Sequence, residues 1–142
     1  MRSSTMRIIA PVLTLALAAC GDDNFSPTVE NVAGPYTAST FTYETSEGTT
    51  DLLAAGAVVS IDLADDGTTT GEIFVAAGGE GGGDLDEDLT GTWTLAGTTV
   101  TFDQDADTFI RDLEFTADQD LLIGEDTFDD VTIRLVLSKT NQ

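Results

Sequence analysis

The chain predicts an all-β fold of about eight short antiparallel strands closing into an up-and-down barrel. Three observations carry that expectation. Apolar and polar residues alternate with period two in one segment after another, which places one face of each strand in a core and the other in water. Turn-forming residues recur about every ten positions, so the links are of hairpin length. Helical periodicity is nearly absent, and no long crossover interrupts the series. Sequential hairpins favour a meander, closed as a barrel or stacked as a sandwich, and the barrel is preferred here. An eight-stranded barrel has an interior just wide enough to be filled by side chains or to hold one small ligand.

The pattern begins near Gly34-Pro35. Tyr36 to Ser46 is rich in threonine and aromatics and sets Phe41 and Tyr43 on one face. Asp51 to Ala55 reads as a single helical turn ended by Gly56. Ala57 to Ala64 puts Val59, Ile61 and Leu63 opposite Ser60 and Asp62, and Asp65-Asp66-Gly67 is a hairpin signal. Thr69 to Ala77 follows, with Ile73 and Val75 inward and Glu72 outward. Gly78 to Gly83, with Asp84 to Asp88, is a glycine-rich acidic loop and the longest break in the pattern. Leu89, Gly91, Trp93 and Leu95 then share a face against Thr90, Thr92 and Thr94. After a two-residue turn at Ala96-Gly97, Val100 and Phe102 continue that core face. Leu113 and Phe115 belong to a sixth strand and Leu121 and Ile123 to a seventh. Val131, Ile133, Leu135 and Leu137 form the last, with Arg134 facing out.

Ahead of this domain, Arg2 and Arg7 precede an uncharged apolar run, Ile8 to Ala19, which leads to Leu17-Ala18-Ala19-Cys20. A membrane-spanning helix needs roughly 20 apolar residues, and this run falls short and contains Pro11. A positive start and a short apolar stretch fit a secretory signal. Leu17 to Cys20 resembles the lipobox of bacterial lipoprotein signal peptides. The resemblance implies cleavage before Cys20 and acylation, palmitate included, of its sulfur. The alternative is an ordinary cleavage site served by Ala16, Ala18 and Ala19, which leaves an exposed thiol in an oxidising compartment. More than one acyl chain is what stable anchoring requires. The expected organisation is therefore a cleaved signal peptide over 1–19, lipidated Cys20 with a flexible linker over 20–33, and the barrel over 34–142. The membrane, reached through the anchor, is an expected partner. Gly21 follows the cysteine and Asp22-Asp23 comes one place later than the position that retains lipoproteins at the inner membrane. The expected location is thus the cell envelope, at the outer membrane of a Gram-negative bacterium.

Thr90 to Phe102, with Gly91 and Trp93 before the Ala96-Gly97 turn, looks like strand-turn-strand segments of small bacterial lipocalin-like lipoproteins. Val131 to Leu137 is compatible with their closing strand. The resemblance implies a calycin-type barrel. One departure stands out: true lipocalins carry the Gly-x-Trp element on the first strand, whereas Gly91 and Trp93 lie mid-chain.

Cleavage before Cys20 removes Arg2 and Arg7 and no acidic residue, so 26 Asp and Glu face only Arg111, Arg134 and Lys139. Nucleic acid is excluded as a partner, because phosphate binding needs a basic surface. Electrostatic attraction to anionic lipids is excluded on the same ground. The chain has no histidine and one cysteine, so neither a Ser-His or Cys-His pair nor a His/Cys zinc site is available. No carboxylate pair stands out for glycoside hydrolysis, and the expectation is that the protein is not an enzyme.

Two candidate sites remain. Trp93, Phe102, Phe115 and Tyr43 form either an aromatic wall around a small hydrophobic ligand or, with Trp93 at its centre, plain core filling. Asp103, Asp105, Asp107, Ile110 and Glu114 have the spacing of an EF-hand loop, with hard oxygens at alternate positions and a closing glutamate. That raises Ca²⁺ as the one cofactor, although Thr108 stands where the loop needs glycine. The competing reading is an acidic connection in which Phe109 and Ile110 plug one barrel end. Asp84, Asp86, Glu87 and Asp88 form a second acidic cluster, read as a solvated loop at the barrel mouth. The expected function is a lipid-anchored envelope lipoprotein whose barrel binds a small apolar ligand. Its alternatives are a packed barrel acting through its surface, and a calcium-binding acidic surface protein.

Overall fold

The computed structural model describes residues 25–78 and 80–140. The expected signal peptide, Cys20 and the first part of the expected linker, residues 1–24, lie outside the described residues. Ten strands follow in order: β1 (Gly34–Thr45), β2 (Gly48–Asp51), β3 (Val58–Leu63), β4 (Thr68–Val75) and β5 (Leu85–Asp88) in the first half. The second half supplies β6 (Gly91–Ala96), β7 (Thr99–Gln104), β8 (Phe115–Asp118), β9 (Leu121–Phe128) and β10 (Val131–Lys139). Every pairing is antiparallel. Eight of the strands run round in the order β1-β3-β4-β6-β7-β8-β9-β10, and β10 pairs back onto β1 from Tyr36↔Lys139 to Glu44↔Thr132. The expected meander barrel is therefore closed, and closure removes the free sheet edges a sandwich would keep.

The other two strands raise the wall at one end. β2 folds back on the last residues of β1, and β5 pairs with the last residues of β4. Both fall where the alternation predicts no strand. All four residues of β2 are exposed, and β5 contributes a single half-buried side chain, Leu85. With no buried face to mark them, backbone pairing alone makes them strands.

Turn chemistry agrees with the sequence. Asp66 accepts hydrogen bonds from the Thr68 hydroxyl at 2.6 Å and the Thr68 N–H at 3.0 Å, and Gly67 takes φ 91°. Those bonds, the hydroxyl foremost, hold the Asp66 carboxyl below its ordinary range. The Asp51 carboxylate accepts from the N–H groups of Leu53 and Ala54 and starts the expected turn, which ends at Gly56. The β6–β7 turn falls at Gly97-Thr98, one place beyond the expected pair.

The inward faces match expectation in β3 (Val59, Ile61, Leu63), β4 (Ile73, Val75), β7 (Val100, Phe102) and β10 (Leu135, Leu137). β1 changes phase at an irregularity between Ala38 and Thr40, which is why Tyr36 and Phe41 are both buried. β9 departs from expectation. Leu122 and Gly124 are its buried residues, while Leu121 and Ile123 are only half-buried. The cause is Phe115: a Cβ at Gly124 would lie 2.8 Å from its ring. Leu113 also lies outside β8, buried at the end of a short 3-10 helix, Phe109–Asp112.

Residues 28–33, assigned to the linker by composition, are instead structured. A one-turn helix, α1 (Val29–Val32), is closed by reciprocal bonds between Thr28 and Asn31. Val32 is buried and its carbonyl accepts from the Tyr36 hydroxyl at 2.6 Å. The Lys139 ammonium donates to the Asn31 carbonyl at 2.6 Å and sits 5.6 Å from the centre of the Tyr36 ring. α1 thus caps the barrel where β1 begins. Among the described residues the buried apolar core runs from Val32 to Leu137, with Phe25 packed against it.

Candidate functional site

The two ends of the barrel differ. α1 covers the end at Gly34, whereas the opposite end holds a cavity of about 470 Å³, open to solvent and mostly apolar. Small-molecule pockets span roughly 300–1,000 Å³. Phe41 and Tyr43 of β1 and Ile133 of β10 form one wall, and Thr50 of β2 and Leu52 just after it extend that wall. Val75, the turn after it and Leu85 of β5 form the facing wall, and Phe109 closes a third side.

Each wall has a local cause. The chain leaving β4 turns sharply: the Gly78 N–H donates to the Val75 carbonyl at 3.1 Å, and the Ala77 N–H donates to Asp84 at 3.0 Å. Ala77 accepts φ 57° in that turn, an uncommon conformation for a residue with a side chain. Leu85 is brought in by pairing with Val75. Phe109 is held by its 3-10 helix, whose Ile110 and following Leu113 are fully buried. Ile110 therefore plugs the interior as the competing reading anticipated, while Phe109 stays at the wall, 5.6 Å from Phe41.

Of the four aromatic residues expected to bind a ligand, only Tyr43 lines this cavity, with 39% of its surface exposed. Trp93, Phe102 and Phe115 are buried in the interior and line neither this cavity nor the one adjoining it. The Trp93 indole N–H donates to the Ala64 carbonyl at 2.7 Å. Phe102 meets Phe115 edge to face at 5.3 Å. Sequence reasoning missed Leu52, Leu85 and Ile133 as site residues. A lone leucine in an otherwise acidic loop is the signal that was available for Leu85.

The EF-hand spacing does not yield a gathered site. Asp103, Asp105, Asp107 and Glu114 are all exposed, and Asp107 lies 3.5 Å from Arg111. Among the described residues, no three carboxylate, histidine or cysteine side chains come together to hold a metal ion. The chain from Phe109 to Asp112 winds as a 3-10 helix anchored by Ile110, so it does not wrap around a centre. Asp84, Asp86, Glu87 and Asp88 are likewise exposed along the β5 segment.

A polar cluster lies within the core. The Thr69 hydroxyl and the Gln104 amide both donate to the Leu89 carbonyl, at 2.8 and 3.3 Å. Gln104 Oε1 and the Thr108 hydroxyl are buried with no protein partner. Tyr36, near α1, has its phenol pushed up to about 12, mainly by burial and secondarily by the charge of Asp120.

A second cavity, about 350 Å³, adjoins the first and shares Tyr43 and Thr50 with it. Its other walls are polar: Thr45, Glu47, Gly48 and Thr49 of the β1–β2 hairpin. The three basic side chains among the described residues are engaged elsewhere. Arg111 is paired with Asp107, Arg134 with Glu125 at 3.3 Å across β9 and β10, and Lys139 with α1. Compared with family models, curated proteins and solved structures, the chain matches none of them significantly.

Proposed function

We propose that the protein is a lipid-anchored lipoprotein of the cell envelope whose barrel holds a small apolar ligand in the mouth cavity. The observation that carries the reading is the apolar cavity of about 470 Å³ at one end of the barrel. An apolar body placed there gains about 25 cal/mol for each Å² removed from water, against walls already held in place by β2, β5 and the 3-10 helix.

Anchoring rests on the sequence of Leu17 to Cys20 and the charged start before it. The five residues Cys20 to Asn24 separate the acylated sulfur from Phe25. Fully extended they reach at most about 18 Å. In this reading the anchor joins the chain ahead of α1, at the capped end of the barrel, and the mouth lies at the end away from it. The ligand then enters from the aqueous side of the outer membrane. A barrel acting only through its surface is the second reading, favoured by the dense packing of Trp93, Phe102 and Phe115.

Native mass spectrometry separates the two. The protein is exported to the periplasm as residues 21–142 and purified without detergent. A co-purifying apolar small molecule supports the carrier. A bare protein mass, with no uptake of added 1-octanol, supports the packed barrel.

A further inference from the structure

We infer that the ligand is an amphiphile with a cationic head, its apolar body in the mouth cavity and its head in the adjoining recess beside Glu47. This deepens the proposed ligand-binding reading and rests on it. The two cavities share Tyr43 and Thr50 as lining residues, so a ligand whose body fills the first carries its head toward the second. Glu47 lines the recess and supplies its one charged side chain. Tyr43 stands at the junction with its ring partly exposed, and an aromatic face attracts a cation passing over it.

The same geometry rejects an anionic head. Neither cavity is lined by a basic side chain, and Arg111, Arg134 and Lys139 are all engaged elsewhere. A carboxylate or phosphate head seated here would lose water without gaining a counter-charge. Across the cavity, Asp84 sits on the N–H of Ala77 and keeps the opposite rim negative too. A surface so strongly of one sign raises the local concentration of oppositely charged ligands and repels like-charged ones.

The test uses three octyl compounds that differ only in the head: octyltrimethylammonium, 1-octanol and octyl sulfate. Each is titrated by calorimetry, below its micelle concentration, into residues 20–142 carrying Cys20→Ser so that no acyl chain competes. The cation is expected to bind at least about tenfold more tightly than the sulfate, with the alcohol between. Glu47→Gln is expected to weaken the cation about threefold and leave the alcohol unchanged. Asp118→Asn, an exposed site at the far end of β8, is expected to leave both unchanged. Octyl sulfate binding as tightly as the cation overturns the head-group assignment, as does equal weakening by Glu47→Gln and Asp118→Asn, which would reveal bulk charge alone. Failure of all three compounds, 1-octanol included, overturns the ligand-binding reading itself.

Discussion

The ring of Phe109 lies 5.6 Å from that of Phe41, tilted by 32°, and joins the 3-10 helix to the wall of the mouth cavity. Both rings line the cavity, and Phe41 is also fully buried in the core. Cavity shape and barrel stability are therefore coupled through this pair. Phe109→Ala should lower stability by about 2 kcal/mol, less than a fully buried phenylalanine would cost. It should also weaken 1-octanol binding. Urea unfolding and calorimetry check the two effects; unchanged 1-octanol affinity would show that Phe109 does not bound the site.

Gly124 is an inward position that the Phe115 ring already occupies. Gly124→Ala places a methyl group 2.8 Å from that ring, and the surrounding barrel leaves the ring little room to move. Overpacking of this kind costs about 1–3 kcal/mol. The double variant Gly124→Ala/Phe115→Leu should recover part of the loss. A midpoint for Gly124→Ala equal to the parent's would contradict the packing account.

Thr108 buries a hydroxyl that finds no protein partner. Thr108→Val keeps the shape and removes the polar group, so stability should rise by about 1 kcal/mol. Its backbone, at φ −116° and ψ 161°, suits a β-branched residue. A loss of stability would mean that the hydroxyl is satisfied in solution.

Tyr36 gives the fold an alkaline limit. Its phenol moves from the ordinary 10 to about 12 in the folded protein, so the native state favours the neutral form. Below pH 10 both states keep the proton and the group adds no pH dependence. Between pH 10 and about 12 the unfolded chain releases its proton while the native chain holds it, and stability falls as pH rises. The full loss is about 2–3 kcal/mol. Tyr36→Phe should flatten that decline, at a cost near neutral pH of about 1 kcal/mol for the bond to Val32. Denaturant midpoints from pH 9 to 12 read both effects, and an equally steep decline in Tyr36→Phe would contradict the assignment.

The barrel was legible wherever the inward positions of a strand are apolar, as in β3 (Val59, Ile61, Leu63) and β10 (Leu135, Leu137). It was obscured where the lumen demands something else. Gly124 yields to Phe115, and Thr69 and Gln104 turn inward because they bond the Leu89 carbonyl. A half-buried pair, Leu121 and Ile123, then looks like the core face. β2 and β5 bury too little to carry a pattern, and α1 is a single turn whose capping pair, Thr28 and Asn31, sits among residues that read as linker. The site was harder still, because its walls come from distant parts of the chain that meet only when the barrel closes. Tyr43 was found through its aromatic character, but the same reasoning also selected Trp93, Phe102 and Phe115. Nothing in composition separates a ring at the mouth from a ring in the middle of the core.

Methyl-resolved NMR under titration with 1-octanol tests the central claim most directly. Chemical-shift changes should be confined to Leu52, Val75, Leu85 and Ile133 at the mouth, while Ile61, Val100 and Leu122 in the packed interior stay still. Saturable shifts at the mouth residues alone are the predicted result. No shifts at all, or shifts spread evenly through the interior methyls, would contradict a ligand site at this end of the barrel.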